Sequence, residues 1–230
     1  MLKYIILMLF MGINLYSQST IVSLTGSVKN YLTGEPLGID IRVFNSEGKQ
    51  VAISKSNSLD GYYFLTGLHP DSVYFIRFMD FAYLSDSHEF QVPNTTKYQE
   101  YSRDFLVKPK KVGLKFPLKV IPFDIGKSKL RSGVDYFLGD IANVMKMNRR
   151  VSFKIHAYPD KENNSAFNQE LCSQRAESLK KYFIDKGVNV DRINIQGYDN
   201  VDPQNPPPKT KQAKGKRYTG SIYLEITGTN

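Results

Sequence analysis

Two hydrophobic rhythms divide the chain. From about Ile21 to Leu106 apolar residues fall at alternate positions. Val22 to Val28 alternates apolar with small polar residues, and Ile39, Ile41 and Val43 repeat with period two. Val51 and Ile53, then Tyr63 and Leu65, continue the pattern, and Val73 to Phe78 reads as a further strand. Turn signals separate these runs at Ser46–Lys49, Asp60–Gly61 and His69–Pro70–Asp71. No helical period crosses this half. Short strands between evenly spaced turns predict an all-β sandwich.

After a lysine-rich stretch the period changes. Leu118–Ile121 is expected to be a strand. Val134, Phe137, Leu138, Ile141, Val144 and Met145 are spaced by three and four, one face of a helix, with Ser132 placed to cap it. Val151, Phe153 and Ile155 alternate as a strand. Phe167, Leu171, Ala176, Leu179 and Phe183 mark a second helix ending near Gly187. Ile193–Ile195 and Ile222–Ile226 complete a βαβαββ order, an α/β sandwich with helices on one face.

The expected organisation is a signal segment at 1–18, a β-sandwich at 21–106, a linker at 107–115 and an α/β domain at 116–230. The first part rests on Lys3, the apolar run Tyr4–Ile13 and the small polar residues Ser17 to Ser19. That run is shorter than the roughly 20 apolar residues a membrane-spanning helix needs. No later segment has that character, so no transmembrane helix is expected in the mature chain.

Charge and cysteine content narrow the functional classes. The net charge is +9, concentrated in Lys108, Lys110, Lys111, Lys115 and Lys119 and again in Lys209 to Arg217. These clusters lack interleaved aromatics and any nucleic-acid motif, so nucleic acid is not an expected partner. They read as solvated charge, with contact to anionic envelope polymers as the functional alternative. Cys172 is the one cysteine, which rules out an intrachain disulfide; its helical position predicts a small core residue. Pro206–Pro208 reads as an insertion before the last strand.

Catalytic signatures are missing. His69, His88 and His156 stand in unrelated contexts, and none opens a metal-binding His motif. There is no nucleophile elbow or phosphate-cradling glycine loop. A non-enzymatic protein without metal or cofactor is expected, with His156 as an exposed strand residue.

Two resemblances sharpen the picture. Thr25–Val28, Gly34–Leu37, Leu59–Leu65, Leu68–Pro70 and Tyr74 resemble the carboxypeptidase regulatory-like domain, a prealbumin-like sandwich. That resemblance implies a spacer or docking module rather than an activity. Ile121–Asp124 with Leu130, Ile155–Asp160, the helix Asn168–Leu179 and Lys186–Tyr198 resemble the OmpA-like C-terminal domain.

The second resemblance implies non-covalent peptidoglycan binding through the diaminopimelate side chain of the stem peptide. That side chain ends in a zwitterion. An Asp suits its ammonium, and an Arg forks onto its carboxylate. By position Asp160 and Arg175 match the family's pair, Asn168 its helix Asn, and Asp124 the loop lining the pocket. The family's Gly-His-Thr-Asp reads Ala157-Tyr158-Pro159-Asp160 here, and Gly220–Ser221 stand where it usually has paired arginines. The resemblance implies a periplasmic protein, associated with the outer membrane through partners, with peptidoglycan and other envelope proteins as those partners. The alternative is an envelope interaction or scaffold subunit whose site is degenerate.

Overall fold

The computed structural model describes residues 20–208 and 218–229. The expected signal segment and the Lys209–Arg217 cluster lie outside them. The described chain is mostly β, with two α-helices.

The N-terminal half is built from β1 (Val22–Asn30), β2 (Asp40–Asn45), β3 (Gln50–Lys55), β4 (Tyr62–Leu68), β5 (Val73–Met79), β6 (Ser87–Gln91), β7 (Gln99–Ser102) and β8 (Phe105–Val107). One sheet centres on β1, which pairs antiparallel with β4 and parallel with β7 and then β8. The other runs β3-β2-β5-β6. Alternation fills the space between them. Val22, Leu24, Val28, Tyr63, Leu65 and Leu68 from the first sheet share a core with Ile41, Val43, Tyr74, Ile76 and Phe78 from the second. Val51 and Ile53 point to solvent instead, 47% and 68% exposed. They occupy an edge strand whose inner positions are Ala52 and Ser54, so the apolar alternation there marks the outer face.

The C-terminal half contains β9 (Lys115–Pro117), α1 (Asp135–Met147), β10 (Val151–Ala157), α2 (Ser165–Asp185), a 3₁₀ turn (Val190–Arg192), β11 (Ile193–Gly197) and β12 (Ile222–Thr229). The sheet order is β11-β10-β12-β9, with β10 and β11 parallel and the other pairs antiparallel. Val151, Phe153, Ile155 and Ala157 alternate toward the helices, where they meet Leu138, Ala142, Met145, Cys172, Ala176, Leu179 and Phe183. Gly187 ends α2 in the left-handed region at φ 90°, and Val188 N–H returns to the Phe183 carbonyl at 3.0 Å.

Three local expectations are corrected. The first strand is Lys115–Pro117, not Leu118–Ile121. Its ladder with β12 runs out where Leu118 N–H reaches Ile222 O, at the start of β12, so Lys119–Ile121 have no partner. Ser132 does not cap α1, because Gly133 at φ 82° turns the chain and Val134 takes the cap position without a side-chain bond. Phe137, expected on the core face, is 51% exposed; the buried stripe is Val134, Leu138, Ala142 and Met145.

Residues 107–115 join the halves through paired backbone. Val107 is buried in the sandwich core and Leu114 in the C-terminal core. Between them Lys110 N–H bonds Ala82 O at 2.7 Å, and Leu84 N–H bonds Lys108 O at 2.8 Å. The loop after β5 also crosses over. Leu84 is buried in the C-terminal core, and the Ser85 backbone exchanges two hydrogen bonds with the Asn148 amide, at 2.9 and 2.7 Å.

Candidate functional site

Asp160 follows the carboxyl end of β10, and Arg175 lies in the middle of α2. The two side chains meet as a buried bidentate pair, with Nη1–Oδ1 at 2.8 Å and Nη2–Oδ2 at 2.7 Å. Asp160 is 8% exposed and Arg175 1%. Asp160 also accepts the backbone N–H of Gly126 at 2.8 Å and of Gly220 at 2.7 Å. Arg175 donates Nε–H to Lys127 O at 2.9 Å and Nη2–H to Asp124 O at 3.1 Å. A guanidinium has five N–H donors; four are engaged here, and one Nη1–H is left.

These bonds fix the electrostatics. Burial by itself would raise the Asp160 carboxyl. The Arg175 hydrogen bonds and the N–H groups of Gly126 and Gly220 outweigh it and hold the group below the usual carboxylate range. The site is therefore an ionised pair that ties the loop 124–128, the β10 end and the entry to β12 onto α2.

Asp124 and Asn168 occupy different parts of this end. Asp124 contributes its carbonyl to Arg175, while its exposed carboxylate faces Lys127 and Arg131, each at 3.5 Å. Asn168 is buried and donates to Lys161 O at 3.1 Å and Asp199 O at 2.8 Å, clamping the loops after β10 and β11. Asn164 caps α2 by accepting Phe167 N–H at 3.1 Å.

Two glycines permit the arrangement. A Cβ on Gly197 would lie 2.5 Å from Ser173 N, where β11 approaches α2. A Cβ on Gly220 would lie 1.8 Å from Tyr158 O. The position where the family usually carries an arginine is therefore closed to any side chain in this backbone. Its N–H is spent on Asp160 instead. Sequence reading missed both backbone donors to Asp160, because an N–H carries no residue-type signal.

It also misplaced His156, which is 3% exposed. Nε2 lies 2.6 Å from Glu225 Oε2, and Nδ1 lies 2.9 Å from the Tyr198 hydroxyl. On the sheet face away from the helices, the tyrosine on one side and Glu225 on the other cover the ring. Burial lowers its pKa, against the opposing pull of Glu225. Cys172 is fully buried, and burial pushes its thiol up to about 11.

A groove of about 390 Å³ adjoins the pair, between Gly126–Lys129 and the Phe167, Glu170, Leu171 and Gln174 side of α2. A larger space of about 1210 Å³ lies between the two halves, lined by residues such as Arg77, His88, Arg103, Lys108 and Phe137. It lies away from Asp160, and its lining comes from both halves of the chain. Among the described residues no His, Cys, Asp and Glu cluster could hold a metal ion. No described helix is long and apolar enough to cross a membrane.

Comparisons with known proteins place this end of the molecule. Outer membrane protein P5 of Haemophilus influenzae is 31% identical over 83 residues, 36% of this chain and 24% of that protein. Probable lipoprotein YiaD of Escherichia coli is 29% identical over 107 residues, 46% of this chain and 48% of that protein. This chain thus spans about a quarter of the one relative and half of the other. The periplasmic domain of Helicobacter pylori MotB overlays with a TM-score of 0.42 at 17% identity, covering 52% of this chain and 79% of that one. Residues 122–217 match the OmpA family and form an OmpA family domain.

Proposed function

We propose that the protein is a non-enzymatic, periplasmic component of the bacterial cell envelope that binds peptidoglycan through its OmpA family domain. The buried Asp160–Arg175 pair carries this reading. A zwitterion such as the diaminopimelate side chain is matched to a pre-existing ion pair, because each of its charges can replace one partner. As Arg175 turns to the ligand carboxylate, the N–H groups of Gly126 and Gly220 keep Asp160 ionised for the ligand ammonium. The cost of opening a buried pair is offset only by a ligand carrying both charges at the right separation. The family name and the outer-membrane relatives support the envelope setting.

The β-sandwich serves as spacer or docking module. The Leu84 and Ser85 contacts with the C-terminal half fix its placement.

A second reading is favoured by the saturation of the pair and by Gly220. The same features describe a scaffold domain whose Asp160–Arg175 bridge only holds loops together. Co-sedimentation of the chain with purified sacculi, with and without free stem peptide, separates the two. Peptide-competed retention supports binding at the site. Retention that modest salt abolishes and peptide does not compete assigns adhesion to the lysine clusters.

A further inference from the structure

We propose that Tyr158 and Tyr198 form a sugar platform that receives the glycan strand of peptidoglycan beside the stem-peptide site. The inference rests on the peptidoglycan reading above and names a second part of the same polymer as ligand.

The two rings are stacked in parallel, with centroids 4.2 Å apart and planes 1° from coincident, and Tyr223 meets Tyr158 edge-on at 5.9 Å. The three tyrosines stay outside the hydrophobic core cluster, and each is partly exposed. They are neighbours across β11, β10 and β12 on the sheet face away from the helices.

The platform is rigid before any ligand arrives. The Tyr198 hydroxyl lies 2.9 Å from His156 Nδ1, and His156 is held in turn by Glu225. The Tyr223 hydroxyl bonds the buried carboxylate of Asp202 at 2.5 Å. Tyr158 N–H bonds Ser221 O at 2.9 Å, and Tyr198 N–H bonds Ala157 O at 3.0 Å. Fixed aromatic rings lose little entropy on binding.

The chemistry fits a pyranose. Its C–H face carries slight positive charge and suits the negative face of an aromatic ring. Its hydroxyls need polar neighbours at the rim, and Asn205 and Ser221, joined at 3.0 Å, supply an amide and a hydroxyl. Continuity with the peptide site is direct. Tyr158 stands two residues before Asp160, and its carbonyl packs on Gly220, whose N–H bonds Asp160. Tyr158 and Asp160 share the loop after β10, so a glycan strand on the tyrosines and its stem peptide at Asp160 then sit at the same end of the sheet, on either side of that loop.

The test is binding of the full chain to two separate probes: glycan strands stripped of peptide by an amidase, and free diaminopimelate stem peptide. Wild type is expected to bind both. Tyr158→Ala should weaken glycan binding roughly tenfold and leave stem-peptide binding within about twofold, which also reports that the domain is folded. Tyr158→Phe, which keeps the ring, should bind glycan like wild type. Stem-peptide binding without glycan binding in the wild type would overturn the platform and leave the peptide site standing. So would equal glycan affinity in wild type and Tyr158→Ala. Failure of wild type to bind either probe would remove the peptidoglycan reading and this inference with it.

Discussion

Gly220 donates its backbone N–H to Asp160 Oδ1 at 2.7 Å, while its Cα lies against the Tyr158 carbonyl with no room for a side chain. Gly220→Ala should therefore force the Tyr158–Asp160 loop away and break that bond. A stability loss of about 3 kcal/mol is expected, at the upper end for overpacking. Gly228→Ala, also in the last segment but with its nearest neighbour at an ordinary 3.6 Å, is the control and should cost less than about 1 kcal/mol. Equal melting shifts for the two variants would refute the close approach.

Truncating one partner of the buried pair leaves the other charge stranded. Arg175→Met should destabilise the domain by about 3–5 kcal/mol. The double variant Asp160→Ala/Arg175→Met should lose much less than the sum of the single losses, because both charges are gone. Urea unfolding of the four proteins in a cycle measures this. Additive losses would show that the residues do not act as a pair.

The lowered Asp160 pKa sets the sign of an acid effect. The folded-state pKa lies below that of the unfolded chain, about 3.9. The pair's contribution is thus fully present above that value and disappears as pH falls through the folded-state pKa. The stability difference between wild type and Asp160→Asn should be constant from pH 7 to about 5 and shrink toward pH 2. A difference that grows on acidification contradicts the assignment.

Asn148 and Leu84 couple the halves. Asn148→Ala removes both bonds to Ser85 and one to Val144 O, and Leu84→Ala opens a cavity in the C-terminal core. Their combination should cost several kcal/mol, about 2–5 from Leu84 alone, and expose the 107–115 segment to protease. Scanning calorimetry should resolve two transitions in the double variant. A single unbroken transition with unchanged protease resistance would show that these contacts do not hold the halves together.

Legibility followed physical cause. The α2 stripe of Leu171, Ala176, Leu179 and Phe183 is plain because helix period, buried face and the terminating Gly187 agree, whereas Phe167, expected on the same face, lies in the first turn and is 52% exposed. β6 (Ser-His-Glu-Phe-Gln) and β7 (Gln-Glu-Tyr-Ser) left little trace, because short polar strands owe their pairing to neighbouring strands rather than to their own pattern. Leu118–Ile121 looked like a strand from composition, but strand length is set by the partner, and β12 begins at Ile222. Family resemblance picks out Asp160, Arg175 and Asn168 as candidates. The mutual saturation of Asp160 and Arg175 is not readable from it, since it depends on the carbonyls of Asp124 and Lys127 and on the N–H groups of Gly126 and Gly220.

The most direct test of the central claim is titration of the ¹⁵N-labelled chain with stem peptide carrying diaminopimelate, against the same peptide carrying lysine. Lysine keeps the ammonium and lacks the carboxylate. The account predicts amide shifts at Gly126 and Gly220 with the diaminopimelate peptide, and at least roughly tenfold weaker binding of the lysine peptide, the loss of one charge-assisted contact. Equal affinity for both peptides, or saturable binding that leaves Gly126 and Gly220 unmoved, would contradict it.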